Sequence, residues 1–281
     1  MKILLSAYAC EPNKGSEPAV GWNWANELSK RNNKVFVITR ANNKSNIEKY
    51  IYEKKLDQNI NFIYYDLPLI FIKLKNIFKC TRIYYILWQI MILKKCRALN
   101  LKYNFDIVHH ITFVSIRHFS LLGELNVDTI IGPLGGAETS PIWLRKHIGF
   151  KGFLSETFRD ICNLFTFIDP IFLRSLEKCS KIIFTTRSGE KYLKKKFYKK
   201  AIFCPAVGLN QNEYPSIKVS PKKQKRILFV GRHLHWKGMK IGIEAFKEAL
   251  HKDPKLSLTI VGSGNASKYW KNLTERYKIE K

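Results

Sequence analysis

Phe229-Val230-Gly231-Arg232-His233-Leu234-His235-Trp236-Lys237-Gly238 is the stretch on which the reading of this chain turns. The apolar run Ile227–Val230 has the length and character of a buried strand, Gly231–Gly238 is a loop, and Met239–His251 carries Ile241, Ala245, Phe246, Ala249 and Leu250 at helical spacing. Strand, short Gly-bounded loop, helix is the unit from which parallel α/β sheets are built. Two cations, Arg232 and Lys237, share that loop with a helix N-terminus. Arg offers a planar fork, Lys a point charge, and the helix end a field that favours anions, so the group suits a diphosphate. An ordinary surface loop with two solvated cations is the other reading. Downstream the unit repeats: Leu256–Val261 as a strand, Gly262-Ser263-Gly264 as a turn, Ala266–Tyr277 as a helix.

Upstream, composition breaks between Pro205 and Arg226, where Pro205, Pro215 and Pro221 precede the basic run Lys222-Lys223-Gln224-Lys225-Arg226. Such a stretch reads as a linker. Before it, short apolar runs alternate with helical patterns. Strands are expected at Lys2–Tyr8, Lys34–Ile38, Ile60–Tyr65, Asp106–Ile111, Thr129–Ile131, Lys181–Thr185 and Ala201–Cys204. They are nearly continuously apolar, as strands covered on both faces are. Pro18–Arg31 reads as a helix, with Pro18 in its first turn and Val20, Trp24 and Leu28 on one face. Phe71–Asn100 reads as mostly helical, apolar and aromatic on one side with interleaved Lys. The expected architecture is α/β, with a parallel sheet covered by helices in a first domain over residues 1–205, a linker over 206–225, and a second, incomplete Rossmann-like domain over 226–281.

Three further segments carry candidate chemistry. Asn13-Lys14-Gly15-Ser16-Glu17-Pro18 joins the first strand to the first helix, where Gly15 and Ser16 let backbone N–H groups approach an anion. It lacks the G-x-G-x-x-G pattern, and an ordinary tight turn would look the same. Asp106-Ile107-Val108-His109-His110-Ile111-Thr112 places His109 and His110 at the carboxyl end of a strand, where open α/β sheets bind ligands. Adjacent strand residues point to opposite faces, so at most one ring contacts a ligand, and a buried His is also commonly a satisfied core group. Gly132-Pro133-Leu134-Gly135-Gly136-Ala137-Glu138 reads as an irregular turn after a strand rather than its continuation. There Gly135 and Gly136 permit close backbone approach, and Glu138 stands near the mouth.

The 281 residues suit one large domain or two unequal ones, and 46% hydrophobic with 25% charged residues is globular composition. Lys+Arg of 49 against Asp+Glu of 22 leaves +27, which points to an anionic partner or to the Lys bias of an AT-rich genome: only 12 of the 49 are Arg. No helix-turn-helix spacing, zinc-ligand set or RNA-reading aromatic motif accompanies the charge, which argues against nucleic acid. Six Cys, none within ten residues of another, offer neither a zinc site nor a redox pair and suit a reducing compartment. Met1–Cys10 is short for a secretory signal and reads as a first strand, a lipoprotein-like signal being the alternative. The most apolar run, Ile83–Leu93, has 11 residues where spanning a bilayer takes about 20. Around it, Lys73, Lys75, Lys79, Arg82, Lys94, Lys95 and Arg97 alternate with Phe71, Phe78, Tyr84, Tyr85 and Trp88. That mixture within Ile70–Tyr103 suits either an acidic membrane surface or a core helix with a solvated basic face.

Together the four segments resemble, in family order, landmarks of the family 4 (group 1) retaining glycosyltransferases of the two-domain GT-B fold. The opening Ile3–Pro12 with Gly15-Ser16-Glu17-Pro18 is similar to a bacterial surface-polysaccharide branch of that family. The resemblance implies a first domain that binds a lipid-linked or oligosaccharide acceptor and a second that binds a nucleotide-sugar donor. Arg232 and Lys237 would hold the diphosphate and stabilise the leaving group, with no metal needed. Gly15, Ser16 and Gly231 would approach the donor, Gly262 and Gly264 would border the nucleotide, and His109 or His110 would lie near the transferred sugar. Glu17, Gly135, Gly136 and Glu138 would line the acceptor side. It further implies a cytoplasmic protein, peripheral on the inner face of the cell membrane, with Arg232 and Lys237 directed into the interdomain cleft. One departure stands out: the family carries two Glu with seven residues between them in its second domain, and no two Glu here are eight positions apart. The expectation is a transferase truncated at its C-terminus, or a catalytically inactive remnant that binds acceptor or membrane.

Overall fold

A computed structural model describes residues 1–54, 59–208 and 225–279. Its elements run β1 (Lys2–Ser6), α1 (Glu17–Lys30), β2 (Lys34–Thr39), α2 (Lys44–Lys54), β3 (Ile60–Tyr64), α3 (Leu69–Phe78), α4 (Thr81–Tyr103), β4 (Ile107–His110), β5 (Asp128–Leu134), α5 (Gly149–Leu164), α6 (Pro170–Lys178), β6 (Lys181–Phe184) and β7 (Ala201–Phe203). After the linker segment come β8 (Arg226–Val230), α7 (Met239–Lys252), β9 (Ser257–Val261) and α8 (Ser267–Arg276).

The chain forms two compact units. The first comprises Met1–Glu138 and Cys162–Leu209, the second Thr139–Ile161 and Asn210–Lys281. Residues 139–161, which the sequence reading placed in the first domain, thus pack with the second unit. Most of the expected linker, residues 209–224, lies outside the described residues.

The first unit is a seven-stranded sheet in the order β3-β2-β1-β4-β5-β6-β7, with every pairing parallel. Alternation along β1 fills both faces. Leu4 points, with Phe36, Ile38 and Val108, toward Tyr84, Tyr85, Trp88, Ile92 and Cys96 of α4. Ile3 and Leu5 point, with Val35 and Val37, toward Val20, Trp22 and Ala25 of α1 and Ile47 of α2. That is why these strands read as continuous apolar runs: neither face meets water. A third cluster joins β5 and β6 to α6 through Ile131, Leu134, Ile182, Phe184, Phe172 and Leu176.

The stretch Phe71–Asn100, expected to be mostly helical, is covered by two helices, α3 and α4, separated at Lys79, which takes a left-handed conformation with φ 50°. One expectation needs correction. The segment Gly132-Pro133-Leu134 is not an irregular turn: it completes β5. A register shift against β6 between Ile131 and Leu134 absorbs the proline, which has no N–H to donate. Gly132 has φ 124°, and a Cβ there would lie 2.2 Å from the Ile183 carbonyl, so only glycine lets β5 lie this close to β6.

The second unit pairs β8 with β9 in parallel, from Arg226–Ser257 to Val230–Val261. Met239 and Ile243 of α7 pack with Ala266, Trp270 and Leu273, and Phe229, Leu258 and Ile260 lie against them. Its sequence order, strand-helix-strand-helix, repeats that of β1-α1-β2-α2.

Candidate functional site

The candidate residues lie at the carboxyl ends of the parallel strands, and each unit holds its own set. In the second unit, two loops interlock beyond β8 and β9. Gly231 N–H donates to the Val261 carbonyl at 3.0 Å, His233 N–H to the Ser263 carbonyl at 2.8 Å, and Ala266 N–H to the His233 carbonyl at 3.0 Å. Gly262 has φ 139°, and a Cβ on it would stand 1.9 Å from the Gly231 carbonyl oxygen. The Gly262-Ser263-Gly264 turn and the Gly231 loop therefore approach as closely as backbones can.

His233 ties the two loops by its side chain. The Ser267 hydroxyl donates to the Gly264 carbonyl at 2.8 Å and accepts the Gly264 N–H at 3.1 Å. With that hydroxyl proton committed, His233 Nδ1, 2.9 Å from Ser267 Oγ, is the donor. The imidazole also packs on Trp270, ring centres 4.6 Å apart, and its Nε2 is buried without a partner among the described residues. The sequence alone does not mark His233 and Ser267, because nothing local to Gly231–Gly238 announces a contact 34 residues away.

Arg232 and Lys237 are both exposed, and among the described residues neither side chain has an ion-pair or hydrogen-bond partner. Lys237 closes a short 3-10 turn, His235–Lys237, and Gly238 follows with φ 73° ahead of α7. Two cations left unpaired beside a helix N-terminus suit oxyanions.

In the first unit the strand ends hold a more buried set. His109 is 3% exposed and His110 1%. His109 Nε2–H donates to the Gly132 carbonyl at 2.8 Å, and its ring meets Trp24 edge-on. Burial pushes its pKa down to about 4 against the raising effect of that hydrogen bond. His110 Nε2 lies 2.8 Å from the Tyr85 hydroxyl and 3.2 Å from Gln89 Nε2. Burial first, then His109 and His118, push its pKa down to about 3. Both rings are neutral near pH 7 and locked by protein partners. The sequence reading foresaw at most one of them meeting a ligand; here both sit in the core.

Gly15 is exposed, and a Cβ there would meet nothing within 4 Å. Ser16 precedes α1 with φ 60° and makes no side-chain cap. Glu17 crosses to the next loop, its carboxylate accepting the Phe113 N–H at 3.0 Å; burial raises its pKa and that bond partly opposes it. Glu138 accepts from Thr185 Oγ1 at 2.8 Å, Thr186 Oγ1 at 3.1 Å and Gly136 N–H at 2.9 Å. Burial works to raise its pKa, but these donors outweigh it and hold the carboxyl below its ordinary value. The Gly136 carbonyl accepts from Arg117 at 3.3 Å and Asn163 Nδ2 at 3.0 Å, and Gly135 N–H reaches the Val114 carbonyl at 3.4 Å. Gly135, Gly136 and Glu138 thus form one hydrogen-bonded corner with Arg117, Asn163 and Thr185.

A second group at this end was not anticipated. Arg40, just beyond β2, binds Asp66, beyond β3, through Nε at 2.7 Å and Nη2 at 3.3 Å. The Tyr84 hydroxyl donates to the same carboxylate at 2.7 Å. A basic residue and an acidic residue 26 positions apart leave no local pattern; only the parallel register brings them together. All six Cys are unpaired thiols. Among the described residues, no three His, Cys, Asp or Glu side chains are grouped as metal ligands would be, and no helix is long and apolar enough to cross a membrane.

Comparison with known proteins agrees with this architecture. A search of curated protein sequences returns no significant match. Among solved structures, a sucrose-phosphate synthase from Thermosynechococcus elongatus superposes on 99% of this chain and 68% of its own, with TM-score 0.52 and 16% identity. A lipopolysaccharide outer core galactosyltransferase, in its apo form, covers 100% of this chain and 66% of its own, with TM-score 0.51 and 12% identity. The chain therefore spans about two thirds of the length of these structures, and at such identities the likeness establishes the fold: α/β, of the GT-B kind. The family model Glycosyl transferases group 1 matches residues 210–281, the segment that carries Arg232, Lys237 and the interlocked glycine loops.

Proposed function

We propose that this chain carries the acceptor-side domain and the opening of the donor-side domain of a retaining group 1 glycosyltransferase. The donor is a nucleotide sugar and the acceptor a lipid-linked or oligosaccharide molecule of cell-surface polysaccharide assembly. The observation that carries the reading is the second unit's loop pair: Arg232 and Lys237 stand unpaired on a loop held by His233 and Gly262, inside the segment that matches the family. In this reading the two cations bind the diphosphate and stabilise the charge that grows on the leaving group, work that elsewhere falls to a metal ion. Gly231, Gly262 and Gly264 border the nucleotide, and Gly15 and Ser16 offer backbone N–H groups to it. Glu17, Gly135, Gly136 and Glu138 shape the acceptor side. His109 and His110, neutral and locked, position the ends of β4 and β5 beneath the sugar rather than exchange protons. The basic, aromatic stretch Ile70–Tyr103 holds the protein on the anionic inner face of the membrane.

The alternative reading is a catalytically inactive module that binds acceptor or membrane. Calorimetric titration with a panel of nucleoside diphosphates tests the shared core. Binding by the full chain, weakened roughly ten- to a hundredfold by Arg232→Ala and by Lys237→Ala, is expected, since a hydrogen bond to a charged group contributes about 1.5–3 kcal/mol. Equal affinity in both variants would remove the diphosphate role. Sugar transfer by the full chain with a panel of nucleotide sugars then decides between turnover and binding alone.

A further inference from the structure

Lys75 is the cation of the first unit whose surroundings call for a ligand. It lies on α3, partly buried, with its Nζ 5.2 Å from the centre of the Tyr84 ring. Arg40 sits over the same ring at 4.9 Å and over Tyr8 at 5.3 Å. Asp66 is engaged by Arg40 and by the Tyr84 hydroxyl, so this one carboxylate faces two cations. Among the described residues Lys75 has no ion-pair partner. Burial, and after it the charge of Arg40, shift its pKa downward against the opposing pull of Asp66.

The neighbourhood also carries apolar surface. Phe71 and Phe78, at i−4 and i+3 from Lys75, flank it on the helix. Both are exposed, Phe78 by 71%, and Leu74 and Ile77 extend the same apolar surface. The site therefore offers a cation without an ion-pair partner among the described residues, beside a ring-lined pair and an exposed hydrocarbon surface. An inorganic anion would use only the first of these features, and a neutral lipid only the second.

We propose that Lys75, beside the Arg40–Asp66–Tyr84 group, binds the terminal phosphate monoester of a lipid whose apolar chain lies along Phe71, Leu74, Ile77 and Phe78. This rests on reading the first unit as the acceptor side, and it names the part of a lipid acceptor that this unit recognises: a terminal phosphate monoester on the chain, which phosphatidic acid carries and the phosphodiesters phosphatidylserine and phosphatidylcholine do not. The neighbouring Lys73 and Lys79 add general attraction to an anionic surface without selecting phosphate.

The test uses vesicles of neutral phosphatidylcholine containing either phosphatidic acid or phosphatidylserine at matched surface charge, with no nucleotide sugar present. The full chain should bind the phosphatidic acid vesicles several-fold more tightly. Lys75→Gln should bring that affinity down to the phosphatidylserine level, Lys75→Arg should keep the preference, and Lys73→Gln should weaken both vesicles by the same factor. Free inorganic phosphate should displace the protein poorly. No preference in the parent chain, an equal loss on both vesicles in Lys75→Gln, or displacement by free phosphate as effective as by short-chain phosphatidic acid would each overturn the proposal. Because the readout is lipid binding, failure here leaves nucleotide binding by Arg232 and Lys237 standing, and the reverse also holds.

Discussion

His109 and His110 show what single residues report about this fold. Their place at the end of a strand was legible, because a parallel-sheet strand has a recognisable run of apolar residues and the polar ones mark its end. Their burial was not legible: it depends on Trp24, Tyr85 and Gln89, which arrive from two helices elsewhere in the chain. Burial has a thermodynamic consequence. The unfolded chain protonates both rings as pH falls through the ordinary value near 6.5, while the folded chain resists until about pH 4 for His109 and about pH 3 for His110. The unfolded state thus binds more protons across that window, so stability is complete above about pH 6.5 and is lost as pH falls. Two such groups contribute a slope of up to about 2.7 kcal/mol per pH unit. Urea midpoints measured from neutral pH to about pH 4.5 should fall steeply in the parent chain. His110→Gln, which keeps a polar partner for Tyr85 and cannot titrate, should be less stable at neutral pH yet lose stability less steeply, the remaining slope coming from His109 and His118. An unchanged slope would mean that His110 is charged in the fold.

Elements were more legible than their boundaries. Each buried strand and the helices around α1, α7 and α8 follow from period and composition, since burial on both faces or on one face imposes distinct patterns. The exceptions have physical causes. Gly132-Pro133 looks like a strand breaker, yet β5 runs through it because the register shift against β6 removes the need for the proline N–H. The ion pair of Arg40 with Asp66 and the tie from His233 to Ser267 escaped notice because tertiary register, not local sequence, creates them. Glycines separate by the same logic, and a pair of substitutions tests it. At Gly262 a Cβ would collide with the Gly231 carbonyl and occupy a conformation that costs on the order of 1–3 kcal/mol outside glycine. Gly262→Ala should therefore drive the two loops apart, lower the melting temperature and abolish nucleotide binding. Gly15 has open space around its Cβ position, so Gly15→Ala should melt as the parent chain does. If Gly15→Ala nevertheless binds nucleotide less tightly, the loss comes from ligand approach and not from folding. A destabilised Gly15→Ala, or a fully stable Gly262→Ala, would contradict the loop geometry.

At the scale of the whole molecule, the sequence reading treated the chain as one domain followed by another, and the contacts do not divide that way. Residues 139–161 leave the first unit, join the second, and return at Cys162. Within the second unit that excursion is tied to α7 by His147, whose Nδ1 lies 3.9 Å from Glu244 Oε2, and its Gly152 packs beside the His235 ring. Composition could not have revealed this, because Thr139–Ile161 has neither the proline content nor the charge run that marked Pro205–Arg226. The consequence is a prediction about nicked protein. Trypsin should cut first at Lys222, Lys223, Lys225 or Arg226, where cations follow three prolines, rather than within Asp106–Ile131, which lies in β4, β5 and their connection. If the units were consecutive, each cut would free two pieces joined by surface contact alone. Because Thr139–Ile161 travels with the first piece but packs in the second unit, the cut leaves its contacts with Glu244 and His235 in place. The two fragments should therefore separate on a denaturing gel yet elute together in native gel filtration, and they should part only at denaturant concentrations that unfold the second unit. Replacing Glu244 by Lys would put a cation in place of the carboxylate that His147 and Lys240 both face, so the nicked complex of that variant should dissociate more readily than the parent's, by roughly the 0.2–1 kcal/mol that partly exposed charge pairs carry. Independent elution of the fragments from the parent chain under native conditions would show that residues 139–161 do not pack stably in the second unit.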